Sequence, residues 1–335
     1  MIVEEGKVRI FAPHVNIKGP GRVEGVFYNR EMVINRDSTI LLLHNLKVKS
    51  ALDGLAATGV RGIRMIKECG VITTINDINP KAVEIIRKNV EMNNVNANIT
   101  QRNVNALMAE EKFDYMDIDP FGSPVPFIDM ALKSGKIIGI SATDTATLGG
   151  RNRKIERRYL ANVSSPTPYV HEIGIRVLLG YIGRMAAKFD LGIRPIFSMW
   201  HGHFYRVYIK IEKGVSKSKA TLKNIGLCEY GGPLWLGELH DFSFLKEIKI
   251  PEWLPNKDKF EKYRELWKGE RFFLFHHIPT LASELKVSTP PIKKIIQILR
   301  DMGYEAYRTQ FSPQGIKSNA SLEEVKNILS TYHNF

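Results

Sequence analysis

Cysteines and long apolar runs are scarce in this sequence of 335 residues. The only cysteines, Cys69 and Cys228, lie far apart, so they predict neither a disulfide framework nor a cysteine-rich zinc site. No stretch approaches the roughly 18 consecutive apolar residues of a membrane span. Residues 1–20 carry charges among their apolar side chains and lack the apolar segment of a signal peptide. We therefore expect a protein of the reducing cytoplasm.

Two ligand-binding patterns are also missing. The dinucleotide fingerprint G-x-G-x-x-G is broken by Leu55, Ala57 and Val60, which argues against NAD or FAD. The histidines do not follow a metal-ligand spacing, so we predict no metal site. The histidines considered are His201, His203, His240, His276 and His277.

Positive charge is in excess. The formal net charge is +13 and the sequence pI is near 9.5. Such a balance favours an anionic partner, of which nucleic acid is the commonest, although a basic but otherwise ordinary enzyme is the alternative.

Strand-like and helix-like segments alternate over the first half of the chain, which predicts an α/β fold with a parallel sheet. The predicted strands are Lys47–Leu52, Val71–Ile75, Asn98–Gln101, Tyr115–Ile118 and Lys136–Ser141. The predicted helices are Gly62–Glu68, one that begins at Asn79-Pro80, and Phe127–Lys133.

A long predicted helix, Val170–Phe189, precedes two strand patterns, Arg194–Trp200 and Phe204–Ile211, which predict an antiparallel hairpin. A parallel sheet that ends in such a hairpin resembles the class I S-adenosylmethionine-dependent methyltransferase (Rossmann-like) fold. Residues 1–213 are therefore predicted to form this domain with an N-terminal extension.

Residues 214–335 are predicted to form a smaller α+β C-terminal domain. Lys213–Lys223 holds four lysines and no acid, which indicates a linker or a solvated loop. Further along, Thr280–Leu285 and the amphipathic Pro291–Met302 predict a helix-turn-helix-like pair. A strand at Tyr304–Thr309 and a capping box that begins at Ser321 complete the pattern.

A cofactor site is predicted where the first strands end. Asp53 to Gly59 form a turn of small residues at the carboxyl edge of the sheet, where ligands bind. Asp77 ends the next strand, and an acid there characteristically accepts hydrogen bonds from ribose hydroxyls. Asn103, after the third strand, is placed to contact adenine. The alternative is a tight turn without a ligand, with Asn103 as a surface turn residue.

A catalytic site is predicted in Asp117–Pro124, after the fourth strand. Asp119 can accept hydrogen bonds from an exocyclic amine and take its proton, Pro120 directs the chain, and Phe121 offers a face for a base. Asp117 belongs to the same site, because two acids that end a buried strand are costly without a purpose. The alternative is that Asp119-Pro120 only begins a turn.

Two further segments follow at the same edge. Thr143 and Asp144 either line a base pocket or, in the case of Asp144, cap a helix. The next segment is predicted to bind the phosphate backbone of RNA, with a solvated helix face as the alternative. Its cations are Arg151, Arg153, Lys154, Arg157 and Arg158.

Together these motifs resemble the tRNA guanine-26 N2-dimethyltransferases, especially archaeal ones, over most of the chain. The resemblance rests on residues 35–37, 53–62, 76–80, 117–124, 142–145, 158–159, 171–172, 231–237 and 307–309. Family members often have a cysteine cluster before Gly231, whereas only Cys228 is present here, so no zinc is expected. Asn103 replaces a more usual aspartate.

The resemblance implies S-adenosylmethionine as cofactor and one or two methyl transfers to the amino group of guanine 26, flipped out of the tRNA. It also implies a C-terminal domain that binds tRNA. The candidate cofactor residues are Arg36, Asp53, Gly54, Thr58, Gly59, Arg61, Asp77, Ile78, Asn103, Val104 and Asp119.

Two alternatives remain at this point. The protein methylates an amino group elsewhere, in rRNA, DNA or protein, or it is a non-catalytic RNA-binding protein. The aspartates at 77 and 119 argue against the second. We predict tRNA as the partner, no membrane association and no obligatory protein partner.

Overall fold

The structure, a computed structural model, describes residues 1–16 and 25–332. The N-terminal part packs on helices that lie beside a central sheet. Its strands are β1 (Ile2–Glu5), β2 (Val8–Phe11), β3 (His14–Asn16) and β4 (Phe27–Asn29). Strands β1 and β2 form an antiparallel hairpin, and β3 pairs in parallel with β4. A single 3-10 turn then leads into helix α1 (Val33–Asn45).

The central sheet begins with five parallel strands, as the alternation predicts. They are β5 (Ser50–Asp53), β6 (Ile72–Asn76), β7 (Asn98–Thr100), β8 (Phe113–Ile118) and β9 (Gly135–Ala142). The connecting helices are α2 (Val60–Cys69), α3 (Pro80–Met92), α4 (Val104–Glu110) and α5 (Val125–Ser134). Strand β5 lies between β6 and β8, so the strand order reverses beside it. A crevice forms at such a reversal, outside the carboxyl ends of the strands.

The predicted antiparallel hairpin is confirmed at the other end of the sheet. The chain passes through α6 (Thr145–Leu148), α7 (Lys154–Tyr159), β10 (Asn162–Val163) and α8 (Val170–Ala187), and then forms β11 (Leu191–His201) and β12 (Phe204–Lys213). The sheet order is therefore β11-β12-β9-β8-β5-β6-β7. Tyr205 pairs with Ala142, so the hairpin turn lies beside the carboxyl end of β9.

The prediction of a linker at Lys213–Lys223 is wrong. Strand β12 continues to Lys213, and helix α9 (Val215–Lys223) follows directly. The helix packs on β11, where the buried Thr221 hydroxyl accepts a hydrogen bond from Ile193 N–H at 2.9 Å. Its lysines are exposed, so a composition rich in lysine described the solvent side and concealed the small buried side chains Ser218 and Thr221.

The remainder of the chain contains two small sheets and five helices among the described residues. The elements are β13 (Ile225–Cys228), β14 (Gly231–Trp235), α10 (Phe242–Glu247), α11 (Lys257–Trp267), β15 (His276–His277), α12 (Ile278–Glu284), α13 (Ile292–Asp301), β16 (Ala306–Arg308), β17 (Gly315–Ser318) and α14 (Leu322–Thr331). Strand β14 pairs with β10 and packs on α8, whereas α12–α14 surround a separate apolar core with β16 and β17. The division at 213/214 stays a prediction.

The predicted features of the last 60 residues are confirmed. The helix-turn-helix-like pair corresponds to α12 and α13, and Ile295, Ile296 and Leu299 form the buried face of α13. At α14 the Ser321 hydroxyl and the Glu324 carboxylate form the predicted capping box. Within residues 1–16 and 25–332, no helix is long and apolar enough to cross a membrane.

A buried network of ion pairs attaches β1 to helices α1 and α2. The Glu5 carboxylate accepts hydrogen bonds from Arg36 and, at 2.8 Å, from Arg64. Arg64 also donates to Asp37 at 2.7 Å. Burial alone would raise the pKa of Glu5, but the two arginines outweigh it and lower that pKa to about 2. The hairpin is therefore held by charge pairs that are removed from water.

We expect Glu5→Gln to destabilise the fold by about 3 kcal/mol at pH 7, because it leaves two buried arginines short of a partner. Urea unfolding measures this. Glu4→Gln is the matched control, because Glu4 lies on the same strand, 77% exposed, in a surface pair with Arg9 worth about 0–1 kcal/mol. The Glu5 contribution is present above pH 4.5 and is lost as the pH falls towards 2. Equal unfolding midpoints for the two variants at pH 7 would contradict the prediction.

Candidate active site

A cavity of about 130 Å³ opens at the carboxyl edge of the sheet, beside the point where the strand order reverses. It brings together seven of the predicted cofactor and catalytic residues: Arg36, Asp53, Thr58, Arg61, Asp119, Pro120 and Phe121. Residues that the sequence analysis did not single out complete the wall, among them Phe27, Tyr28 and Met32.

The loop between β5 and α2 forms one wall of this cavity. The Asp53 carboxylate accepts a hydrogen bond from Gly62 N–H at 2.8 Å and thereby holds the first turn of α2. Gly59 adopts a φ of 76°, a left-handed conformation that glycine tolerates readily. The chain can therefore turn sharply from the strand into the helix, and residues 55–58 of this turn line the cavity.

Asp77 joins this loop to the next one. Its Oδ2 accepts from Ala57 N–H at 2.8 Å, and its Oδ1 accepts from Asn79 N–H at 2.9 Å. A carboxylate has about four acceptor positions, so lone pairs remain for other donors. The sequence analysis assigned no role to Asn76, whose side chain is buried at the end of β6. It donates to Gly54 O and Arg102 O and so joins the loops that follow β5 and β7.

Several predicted cofactor residues do not line the cavity. Gly54 and Val104 contact each other below it, because a Cβ at Gly54 would lie 2.9 Å from Val104 Cγ2. Asn103 caps α4, and its side chain accepts hydrogen bonds from Asn105 and Ala106 N–H. Ile78 is 61% exposed.

Four alternating charges, here termed the charge row, run from the core to the cavity. Arg206 pairs with Asp117, Asp117 with Arg61 at 3.2 Å, and Arg61 with Asp119. The side chains of Arg206 and Asp117 have no exposure, whereas that of Asp119 is 18% exposed. Asp119 is therefore the end of the charge row that ligands can reach.

Asp117, predicted to be catalytic, lies beneath the cavity. Its carboxylate accepts hydrogen bonds from Tyr115 at 2.5 Å and from Thr39 at 3.0 Å as well as from Arg206. Burial alone would raise the pKa of Asp117, but Arg206 and Arg61 outweigh it and lower that pKa below its usual value. An ionised, saturated carboxylate suits a positioning role for Asp117 better than contact with substrate.

Both arginines of the predicted cofactor set are held by the protein. Arg61 donates to Thr39 at 2.7 Å and to Asn35 at 2.9 Å in addition to its two acids. Arg36 donates to both carboxylate oxygens of Glu5 and lies over the Tyr28 ring. Glu5 and Arg206 escaped the sequence analysis, because each belongs to a strand that reaches the site only through tertiary packing.

An aromatic pair stands at the mouth of the cavity. The rings of Phe27 and Phe121 are stacked, with centroids 5.3 Å apart and planes inclined by 17°. Phe121 is 70% exposed, which is unusual for a large apolar side chain and indicates a contact surface. The Asp-Pro-Phe spacing predicted Phe121, but no local signal marked Phe27.

Thr143 takes the pocket role considered for it, whereas the Asp144 side chain forms no capping hydrogen bond with α6. Thr143 lines the cavity, and its hydroxyl accepts a hydrogen bond from Gly122 N–H at 2.8 Å. Asp144 instead accepts from Tyr159 at 2.8 Å and pairs with Arg158 at 3.0 Å. It anchors helix α7 to this edge of the sheet.

The basic segment lies on the surface next to this edge. Its five cations are all exposed, and Arg158 alone among them forms an ion pair within the described part of the chain. Over the same part of the chain, no cluster of three or more histidine, cysteine, aspartate or glutamate side chains could hold a metal ion. Cys69 and Cys228 are both free there.

This chain is similar to known proteins over almost its whole length. A family model described as N2,N2-dimethylguanosine tRNA methyltransferase matches residues 6–230 and 226–330. The chain belongs to this family. Similar tRNA (guanine(26)-N(2))-dimethyltransferases include that of Thermoplasma volcanium, 38% identical over 99% of both chains, and that of Pyrococcus furiosus, 37% identical over 98% of this chain and 97% of its own.

A solved structure agrees with this membership of the N2,N2-dimethylguanosine tRNA methyltransferase family. Trm1 from Pyrococcus horikoshii in complex with S-adenosyl-L-methionine superposes with a TM-score of 0.87 and 34% identity, over 98% of this chain and 99% of that one. The family resemblance stated from the motifs and the predicted methyltransferase fold are both confirmed.

In this member of the family, Asp53 gives a pH-dependent stability that can be measured. Burial raises the pKa of Asp53 to about 7; Arg61 opposes the rise, and Asp117 adds to it. Between its ordinary value of 3.8 and about 7, the folded state binds more protons than the unfolded state, so stability falls as the pH rises through this window.

Asp53→Asn removes this titration and keeps an acceptor for Gly62 N–H. We therefore expect the free energy of unfolding of the variant, relative to that of the wild type, to rise by a few kcal/mol from pH 4 to pH 7. Urea unfolding at several pH values measures this difference. Asp129→Asn, at an exposed pair with Lys188, is the control and should show an almost constant difference. A constant difference for Asp53→Asn as well would contradict the assigned pKa.

Proposed function

We propose that this protein transfers methyl groups from S-adenosylmethionine to N2 of the guanine at position 26 of tRNA, first one and then a second. The observation that carries the proposal is the exposed end of the charge row: Asp119 faces a cavity that also presents Phe121 and the β5–α2 loop. Family membership supports the same substrate and cofactor.

The residues present suit S-adenosylmethionine. The cavity combines residues 55–58 of the β5–α2 loop with Asp53 and Arg36, at the sheet edge where nucleosides bind. Asp77 holds that loop and keeps acceptor capacity that suits ribose hydroxyls. The adenine side would lie towards Ile78 and Asn103, which follow the second and third strands. When bound, the cofactor supplies an electrophilic methyl group.

Asp119 is the residue that acts on the amine. The lone pair of a guanine amino group is delocalised into the ring, and hydrogen bonds from the amine to the Asp119 carboxylate favour a more pyramidal nitrogen. The same carboxylate takes the proton that the nitrogen releases. Arg61 fixes the position of the Asp119 carboxylate through an ion pair, and buried Asp117 holds Arg61 through another. Holding the reacting groups in the right geometry supplies a large part of the rate acceleration in enzymes.

The aromatic pair holds the base. A guanine flipped out of the tRNA loses its stacking on neighbouring bases, and contact with an exposed ring returns roughly 1–3 kcal/mol per base. Phe121 directly follows Pro120, so the ring and the Asp119 carboxylate approach the base from the same loop. The exposed cations of residues 151–158 lie nearby and suit the phosphate backbone. A cytoplasmic location and the lack of an obligatory protein partner stay predictions.

The substrate is tested with unmodified tRNA transcripts that carry guanine or adenine at position 26 and with labelled S-adenosylmethionine. We expect N2-methylated guanine only in the first transcript, because adenine has no amino group at the corresponding ring position. Equal labelling of both transcripts would place the target elsewhere. Cofactor binding without transfer to either would favour another amino substrate, and absence of cofactor binding would favour a non-catalytic RNA-binding protein.

Asp119→Asn tests the proposed base. We expect the methylation rate to fall by roughly 10²–10⁴-fold, because an amide holds no negative charge to accept the proton. Asp129→Asn on the surface of α5 is the matched control and should retain the wild-type rate. Calorimetry with S-adenosylmethionine should show that the cofactor still binds to both variants. A rate within threefold of the wild type for Asp119→Asn would exclude Asp119 as the base.

A further inference from the structure

We infer that the tRNA strand leaves the active site along a second basic path, which lies beside the β11–β12 turn and shares no residue with the segment 151–158. The path, here termed the hairpin groove, is formed by Arg30, His201, Lys259, Lys262, Tyr263 and Arg308. The inference deepens the proposed function, on which it rests, by assigning where the RNA backbone is bound.

Three cavities in succession define the groove. The active-site cavity shares His203 with a second cavity of about 230 Å³, which reaches Arg30 and Lys259. The second shares His201 and Lys259 with a third, of about 380 Å³, which extends to Arg308 on the C-terminal domain. A strand whose base occupies the active site therefore meets adjoining depressions that lead past Lys259 to Arg308.

One face of helix α11 lines the groove, and its charged residues are lysines. Lys259, Lys262, Tyr263 and Leu266 line the third cavity, and their spacing of three and four residues places them on one side of the helix. The acids of the same helix, Asp258, Glu261 and Glu265, follow a different stripe. The helix is therefore basic on the groove side and mixed in charge on the other.

Two lysines close to the groove are neutralised within the protein. Lys257 of α11 and Lys268, directly after this helix, pair with glutamates, at 2.7 Å in both cases, whereas exposed Arg264, on another side of the helix, has no ion pair with a described residue. In contrast to the two paired lysines, Arg30, Lys259, Lys262 and Arg308 are exposed and form no ion pair with any described residue. Among the described residues that line the groove, the one acid is Glu31, which lies 3.3 Å from His203. Unneutralised cations along a depression complement a phosphate backbone and release its counterions on binding.

Hydrogen bonds within the protein fix the side chains at the floor of the groove. The Tyr263 hydroxyl donates to Trp200 O at 3.0 Å and is 3.0 Å from His201 Nδ1. Gln310 accepts from Trp200 N–H and donates to Ser198 O, so the C-terminal domain continues the hydrogen bonding of edge strand β11. A prepared surface of this kind loses little entropy when it binds.

The experiment compares two double variants with the same change in charge. Lys259→Gln with Lys262→Gln removes two groove cations, and Lys219→Gln with Lys223→Gln removes two exposed lysines of α9, near the other end of β11. Affinity for the guanine-26 transcript is measured at several salt concentrations, together with S-adenosylmethionine affinity and the KM and kcat of methylation.

We expect the groove variant to bind tRNA about tenfold more weakly, with the slope of log K against log salt reduced by roughly 1–2. Its KM for tRNA rises, while kcat and cofactor affinity stay close to the wild type. Arg308→Gln, at the far end of the groove, weakens binding in the same direction. The α9 variant changes affinity by less than about twofold.

Equal weakening by both double variants would reduce the effect to overall charge and overturn the inference. So would wild-type affinity in the groove variant while the wild-type protein methylates the transcript; that result leaves the proposed function intact. Failure of the wild-type protein both to bind and to methylate tRNA would overturn the proposed function and the groove with it.

Discussion

The placement of the active site depends on one buried interaction, the ion pair between Asp117 and the two arginines beside it. Arg206 comes from an antiparallel strand and Arg61 from the helix after the first parallel strand, and both side chains are almost completely buried with Asp117. A buried charge that loses its partner costs about 3–5 kcal/mol. The strands and the helix therefore assemble in the one register that pairs all these charges, and in that register Asp119 faces the cavity.

A second buried network does similar work for the N-terminal hairpin. Glu5 joins Arg36 and Arg64 and accepts a hydrogen bond from Tyr28, so the strand that contributes Phe27 to the cavity mouth is attached to helices α1 and α2. Both networks use arginine, whose rigid planar guanidinium can donate to several acceptors at once. Of the acids involved, Asp119 retains exposure and Asp117 and Glu5 do not, which separates the residue that meets substrate from those that position it.

Local patterns predicted the parts of the site that follow strands of the parallel sheet. Asp53, Asp77 and Asp119 each lie at or just after the carboxyl end of a strand, and such ends meet at one edge whatever the details of packing. Phe27, Glu5 and Arg206 had no comparable signal, since their relation to the site depends on long-range pairing. Helix α9 was missed for a related reason: its contact with β11 depends on the small side chains Ser218 and Thr221, which a lysine-rich composition concealed.

The sequence by itself determined the alternation of strands and helices, the motifs at the sheet edge and the family, because each is encoded in residues that are neighbours along the chain. Tertiary structure alone decided that Asp117 is fully buried and Asp119 partly exposed, although only one residue separates them. It also decided that Phe27 stacks on Phe121 and that Lys259 and Lys262 share a groove with Arg308. The physical reason is that burial, ion pairing and stacking depend on which distant segments fill the space around a side chain, and neither spacing nor composition records that neighbourhood.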